Sequence, residues 1–325
     1  MSPSPSSSNS GILVGILCGM GAGALWGLVF LAPELARAFS PLQLTIGRYL
    51  AYGLLSAALI APRWGSLRAS LGRREWLALG WLSLCGNTLY YILLSSAVQL
   101  GGIALTSLVI GFMPVVVTIL GSRDHGAVPL VRLAPSLALC AVGAVGAVCV
   151  GWQAVSSPAS GSNVAQWAGL ACAVGALVVW TAYAVGNSRW LSRLETISAH
   201  EWSLLTGVVT GGQAATLIPL ALILDRFDQG PVAWLQFAGV SVGVAVLASI
   251  VGNALWNRMS RLLPLTLVGQ MILFETLFAL LYAFIWEQRL PTLLEAAAFV
   301  VVTVSVILCV SAHRRPVAAQ APART

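Results

Sequence analysis

Gly86-Asn87-Thr88-Leu89-Tyr90-Tyr91 lies inside a long apolar run, and Gly252-Asn253-Ala254-Leu255-Trp256-Asn257 lies inside another far downstream. The same short polar pattern in two segments of membrane-like composition points to two halves of common origin. Chains built that way often place a binding site where the halves meet. Two further matches run in the same order. Gly23-Ala24-Leu25-Trp26 resembles Gly175-Ala176-Leu177 followed by Trp180, and Ala104-Leu105-Thr106 resembles Pro264-Leu265-Thr266.

Composition sets the class. Of 325 residues, 58% are hydrophobic and 8% charged, against roughly 25% charged in an ordinary soluble domain. Such a chain cannot cover a water-facing surface, so its partner is the lipid bilayer. Apolar segments fall at 11–32, 42–62, 76–98, 102–121, 132–152, 166–189, 202–224, 234–262, 264–286 and 292–311. Each reaches about 20 residues, enough for a helix to cross the hydrocarbon. The fold class is therefore all-α integral membrane, with ten transmembrane helices. Five spans per half is odd, so the second half enters from the opposite side and the two five-helix repeats are inverted. The expected division is a disordered tail at 1–10, a first repeat at 11–153, a linker at 154–165, a second repeat at 166–311 and a tail at 312–325. The first ten residues lack the basic start of a signal peptide.

The net charge of +7 comes from arginine alone. Loops after even-numbered spans, with the C-terminus, hold thirteen arginines, among them Arg63, Arg68, Arg258 and Arg261. The opposite loops hold three, Arg37, Arg226 and Arg289. That asymmetry places both termini in the cytoplasm, and it accounts for the basic balance without nucleic acid. Trp64, Trp76, Trp152, Trp167, Trp190, Trp202 and Trp286 fall near span ends and read as an interfacial aromatic belt. The six cysteines stand singly in apolar surroundings, with no metal-ligand spacing and no CxxC pair.

No phosphate-cradling loop, HExxH pair or zinc-like cluster occurs. The chain reads as no enzyme and implies no cofactor or metal. A membrane enzyme would need clustered His, Asp or Glu, and a receptor or scaffold would need a substantial soluble domain. The informative residues are polar ones inside spans, where burial is costly unless they pair or line a wet cavity. Asn87, Tyr90 and Tyr91 share one helical face; Asn253, Trp256 and Asn257 share another. Facing each other, they suit a small zwitterion with an apolar side chain, or equally serve as glue between helices. Trp26, Trp180 and Tyr183 sit inside their spans, as packing or as substrate contacts. Glu275 is the one acid deep in an apolar run. It could be the counter-ion of a substrate ammonium, a proton carrier or half of a structural pair. Gln270 is also mid-span but points away from Glu275. Arg48, two turns into the second span, is expected to snorkel outward or to pair with Glu34, and Arg258 to snorkel or edge the cavity. Pro114 should interrupt the fourth helix. Gly86, Gly111, Gly175 and Gly252 permit close helix contacts, within one chain or between chains alike.

Trp26, Ser40-Pro41 followed by Arg48, Pro114 in the fourth span and Glu287 closing the ninth together resemble the drug/metabolite transporter superfamily, ten-span EamA type. The resemblance covers residues 11–311 and is greatest to YddG-type amino-acid exporters. It implies a central cavity between inverted halves and export of small metabolites, foremost amino acids with large apolar or aromatic side chains. The chain departs from the type where Phe274-Glu275 replaces a usual proline. That acid also suits an exporter of lipophilic cations, which stays open as the alternative. From their own positions, the residues expected to bind substrate are Trp26, Asn87, Tyr90, Tyr91, Trp180, Tyr183, Asn253, Trp256, Gln270 and Glu275.

Overall fold

The computed structural model describes residues 5–121, 131, 133–135, 137–139, 141–142, 163–194, 196–263 and 265–314. Most of the expected fifth span, most of the linker and the tail beyond residue 314 lie outside them. The described elements are helical. In chain order they are α1 (Pro5–Leu35), α2 (Pro41–Ile60), α3 (Trp64–Ser70), α4 (Arg73–Ser83), α5 (Leu89–Ile110), α6 (Met113–Gly121), α7 (Asn163–Leu191), α8 (Ala199–Leu224), α9 (Pro231–Val244), α10 (Asn253–Leu262), α11 (Leu265–Met271), α12 (Leu273–Glu287) and α13 (Leu293–Arg314). A wider π-helical turn joins α4 to α5 over Leu84–Thr88, and another joins α9 to α10 over Ala245–Gly252. Among the described residues, six helical segments are long and apolar enough to cross a membrane. Many of their outer side chains, such as Leu54, Ile223 and Leu235, are exposed. A surface of that kind calls for lipid.

Local chemistry explains the boundaries. α1 opens on Pro5, whose fixed φ suits the first helical position, so residues 5–10 are helical where a disordered tail was expected. Ser40 caps α2: its hydroxyl accepts from the Gln43 N–H while the Gln43 side chain accepts from the Ser40 N–H. The Ser-Pro pair is thus a helix start. Ser198 and Glu201 build the same reciprocal cap at the head of α8. The uncharged gap between the third and fourth spans is a kink at Gly102, with φ 83° and ψ 167°. Only glycine takes that backbone without strain. The fourth span breaks at Gly111-Phe112, just ahead of Pro114, and the ninth breaks at Ile272. Counted from Ala104-Leu105-Thr106 and Pro264-Leu265-Thr266, Phe112 and Ile272 occupy the same place.

α2 and α8 cross at the centre and run antiparallel. Gly53 and Gly211 meet backbone to backbone: a Cβ on Gly53 would lie 2.6 Å from the Gly211 Cα, and a Cβ on Gly211 would lie 2.7 Å from the Gly53 Cα. Gly53 follows Ser40 by the same number of residues as Gly211 follows Ser198. The start of α2 is tied to the end of α8, with the Ser40 hydroxyl donating to Asp225 at 2.7 Å and the Gln43 amide to the Arg226 carbonyl at 2.8 Å. At the other end, Arg63 forms a salt bridge with Glu201. α1 lies along α12, where Gly23 and Gly27 accept Phe274 and Phe278. α7 lies along α5, where Gly169 meets Gly101. The glycines singled out by sequence make contacts within this chain, Gly86 on Tyr183, Gly252 on Trp26, Gly175 on Leu93 and Gly111 on Thr276.

Trp202 corrects the aromatic-belt expectation. It is 1% exposed, stacks on Trp190 and donates its indole N–H to the Asn187 side chain at 2.9 Å. A partner for the N–H lets it join the core. Trp167 and Trp286 are exposed, as anchors would be.

Candidate functional site

Beside the α2–α8 crossing is a small closed cavity. α1 contributes Trp26 and Val29, α2 contributes Arg48 and Tyr49, and the first π turn with α5 contributes Gly86, Asn87 and Tyr90. α7 adds Trp180 and Tyr183, α10 adds Asn253, and α12 adds Glu275. The free space is about 20 Å³, the room of a single water. The cavity as it stands has no room for a metabolite.

The π turns account for the shape. A π turn offsets the chain where it occurs and is frequent at functional sites. The Ala248 carbonyl, in the second one, accepts the Trp26 indole N–H at 3.0 Å. Trp26 lies on Gly252, where a Cβ would stand 2.8 Å from Nε1, and Tyr183 lies on Gly86. Trp26 and Tyr183 therefore hold matching places, each against the glycine of one Gly-Asn pair. The sequence match had set Trp26 beside Trp180. In Ala/Leu/Gly-rich helices a three-residue likeness does not fix the register. Asn87 donates to the Thr210 hydroxyl at 3.2 Å, and Asn253 lies within reach of the Tyr52 hydroxyl. Thr210 precedes Gly211, and Tyr52 precedes Gly53. Each Asn thus faces the central helix of the other half. The amides act as glue between helices and line the cavity as well.

Five aromatic side chains form a box at the cavity. The Trp26 and Trp256 rings are 4.9 Å apart, Trp180 lies 5.7 Å from both, Tyr183 lies 5.7 Å from Trp180 and Tyr90 lies 6.2 Å from it. The same wall carries charge-bearing side chains. Arg48 is 6% exposed and turns inward, contrary to the expectation of snorkelling or pairing with Glu34. Glu34 pairs with Arg37 at 3.1 Å. The Arg48 guanidinium sits 4.4 Å from the Tyr91 ring and 4.9 Å from the Tyr49 ring. Its Nε and Nη2 donate to the Ser249 hydroxyl at 3.3 and 3.1 Å. Two π faces and a hydroxyl make the interior a better place for it than a long reach to the interface.

Glu275 occupies the first turn of α12 because the ninth span breaks at Ile272. A helix N-terminus favours a carboxylate there. Arg48 Nη1, Glu275 Oε2, Tyr49 OH and Tyr90 OH are all buried without a hydrogen-bond partner. Unpaired buried polar atoms are rare in proteins, and here four belong to one cavity wall.

Seven of the expected residues line the cavity: Trp26, Asn87, Tyr90, Trp180, Tyr183, Asn253 and Glu275. Tyr91 and Trp256 back the wall through Arg48 and the tryptophans. Gln270 is fully buried on α11, before the break, and is not part of the wall. Asn257 donates to the Ala199 carbonyl at 3.3 Å. Arg258 is exposed. Arg48 and Tyr49 were missed as lining residues, although an arginine in mid-span was the available signal. Among the described residues, no group of three or more His, Cys, Asp or Glu gathers as metal ligands would.

Comparison with known proteins agrees with this architecture. The model of the EamA-like transporter family matches residues 13–149. The inner membrane protein YtfF of Escherichia coli (strain K12) is 32% identical over 323 residues, spanning 93% of this chain and 96% of its own length. One solved crystal structure superposes with a TM-score of 0.67 at 19% identity, over 92% of this chain and 98% of that one. That structure bears on the fold alone. On the family match and the full-length relative together, this chain belongs to the EamA-like transporter family.

Proposed function

We propose that this protein is an inner-membrane exporter of small metabolites working by alternating access, and that its substrates are amino acids with large apolar or aromatic side chains. The observation that carries the reading is one small cavity lined by aromatic rings together with buried, unpaired polar atoms of Arg48, Glu275, Tyr49 and Tyr90. Glu275 receives the ammonium, and Trp26, Tyr90, Trp180, Tyr183 and Trp256 hold the side chain. Asn87 and Asn253 take further polar groups. The YtfF relative supports the inner-membrane location, and the arginine asymmetry supports cytoplasmic termini.

The ten spans divide into inverted repeats, 11–153 and 166–311, which rock about the α2–α8 crossing. Supporting this are the paired helix caps, the paired breaks, the Gly53–Gly211 contact and the two Asn residues, each reaching the opposite half. Release to one side would untie Ser40 from Asp225, and release to the other would untie Arg63 from Glu201.

The test is efflux from proteoliposomes loaded with labelled tryptophan, phenylalanine, threonine or alanine, with and without a pH gradient. Saturable efflux of the large neutral amino acids is expected. Absence of efflux for all four, from folded protein, removes the amino-acid reading. A lipophilic-cation exporter is the second reading, because Glu275 within an aromatic box suits a cation too. Glu275→Gln, assayed with a neutral amino acid and a lipophilic cation, tests the residue: loss of cation transport alone removes Glu275 as the receptor of an amino-acid ammonium.

A further inference from the structure

We propose that Arg48 is the carboxylate receptor of the transport site, so that Arg48 and Glu275 together read both charges of an amino-acid head group. The inference rests on the amino-acid reading above and adds the residue that sets its specificity. An ion inside a membrane normally has a partner. Arg48 and Glu275 are both buried in one cavity wall, near enough for the guanidinium to act on the carboxyl group, yet among the described residues no salt bridge within 4 Å joins them to each other or to another charge. Arg48 Nη1 and Glu275 Oε2 are left without a hydrogen-bond partner.

The arginine is also fixed in place. Ser249 holds Nε and Nη2, and the Tyr49 and Tyr91 rings flank the guanidinium. That leaves Nη1 as the free donor, with the unpartnered hydroxyls of Tyr49 and Tyr90 in the same wall. A carboxylate would take all three. A lysine could not be held this way, because its single ammonium lacks the fork that binds Ser249 with one edge and a ligand with the other. A zwitterion satisfies both buried ions at once. A ligand with one charge leaves the other ion orphaned, and sites built to pair a group reject analogues that lack it.

The experiment uses the full chain in proteoliposomes and three probes with one side chain: phenylalanine, phenethylamine, which lacks the carboxylate, and hydrocinnamate, which lacks the ammonium. Each competes against uptake of labelled phenylalanine, or is titrated directly where uptake is lost. Wild type should prefer phenylalanine over either analogue by about 10- to 100-fold, the range of one charge-assisted hydrogen bond. Arg48→Gln should weaken phenylalanine and hydrocinnamate by that factor while phenethylamine is unchanged or tighter. Glu275→Gln should weaken phenylalanine and phenethylamine and spare hydrocinnamate. If either single variant fails to fold, the double variant R48Q/E275Q leaves no orphaned ion; it should bind all three probes alike.

Equal loss of all three probes in folded single variants overturns the inference and makes Arg48 a structural cation. A wild type that binds phenethylamine as tightly as phenylalanine overturns it as well. In both cases transport of phenylalanine would keep the exporter reading alive. Failure of wild type to bind or move any amino acid would sink both.

Discussion

Gly252 illustrates how much one missing methyl group decides. It admits the Trp26 ring, whose N–H reaches the Ala248 carbonyl. Gly252→Ala would drive a Cβ to 2.8 Å from the indole nitrogen. Overpacking of that kind costs about 1–3 kcal/mol, so thermal unfolding in detergent should shift down and transport should fall with it. Gly80→Ala is the control, since its Cβ would meet nothing within 4 Å. There the better helix propensity of alanine should leave stability unchanged or raise it by up to about 1 kcal/mol. The cavity lining was legible in part. The aromatic and amide positions were visible because such side chains are out of place in lipid. The inward turn of Arg48 was not, because its anchor Ser249 and its flanking Tyr91 lie on other spans, and no local pattern joins them.

The antiparallel pair α2 and α8 is the element on which the proposed motion turns. Gly211 and Gly212 are neighbours, yet only Gly211 meets another backbone. Gly211→Val should separate the two helices and abolish transport, while Gly212→Ala, in open space, should transport as wild type. Loss of the α8 cap in Ser198→Ala should cost about 1 kcal/mol. Ser40→Ala should cost more, because the same hydroxyl also holds Asp225; unfolding measurements on the two would rank them. If the ends open in turn, a disulfide between Ser40→Cys and Asp225→Cys should stop turnover, and so should one between Arg63→Cys and Glu201→Cys. Each block should lift on reduction. Continued turnover with both cross-links formed would rule out rocking at these ends. At this scale the sequence was informative where a break has a covalent cause, as before Pro114; the kink at Gly102 falls at an expected boundary between spans. The break at Ile272 has no such cause and was noted only as the loss of an expected proline.

For the whole molecule, the apolar runs marked the six described helical segments that can cross a membrane. The hydrophobic effect and the cost of a charge in lipid act on composition and need no knowledge of contacts. Which helices touch depends on shape, and only repeat likeness hinted at it. The arrangement predicts sidedness. In a cysteine-free background, Asp228→Cys should react with an impermeant thiol reagent from outside the cell. Arg68→Cys, at the opposite end, should react only after permeabilisation. The reverse pattern would invert the proposed topology.

The Gly53–Gly211 contact has a further consequence. When two counterparts in a pair of units touch each other reciprocally, the contact lies on a two-fold axis, and such self-pairing defines an isologous interface. If the halves are repeats, the centre of this single chain keeps the geometry of a homodimer of five-helix units inserted in opposite senses. A steric change at one of these glycines is then a change to both partners, and compensation has to come from its twin.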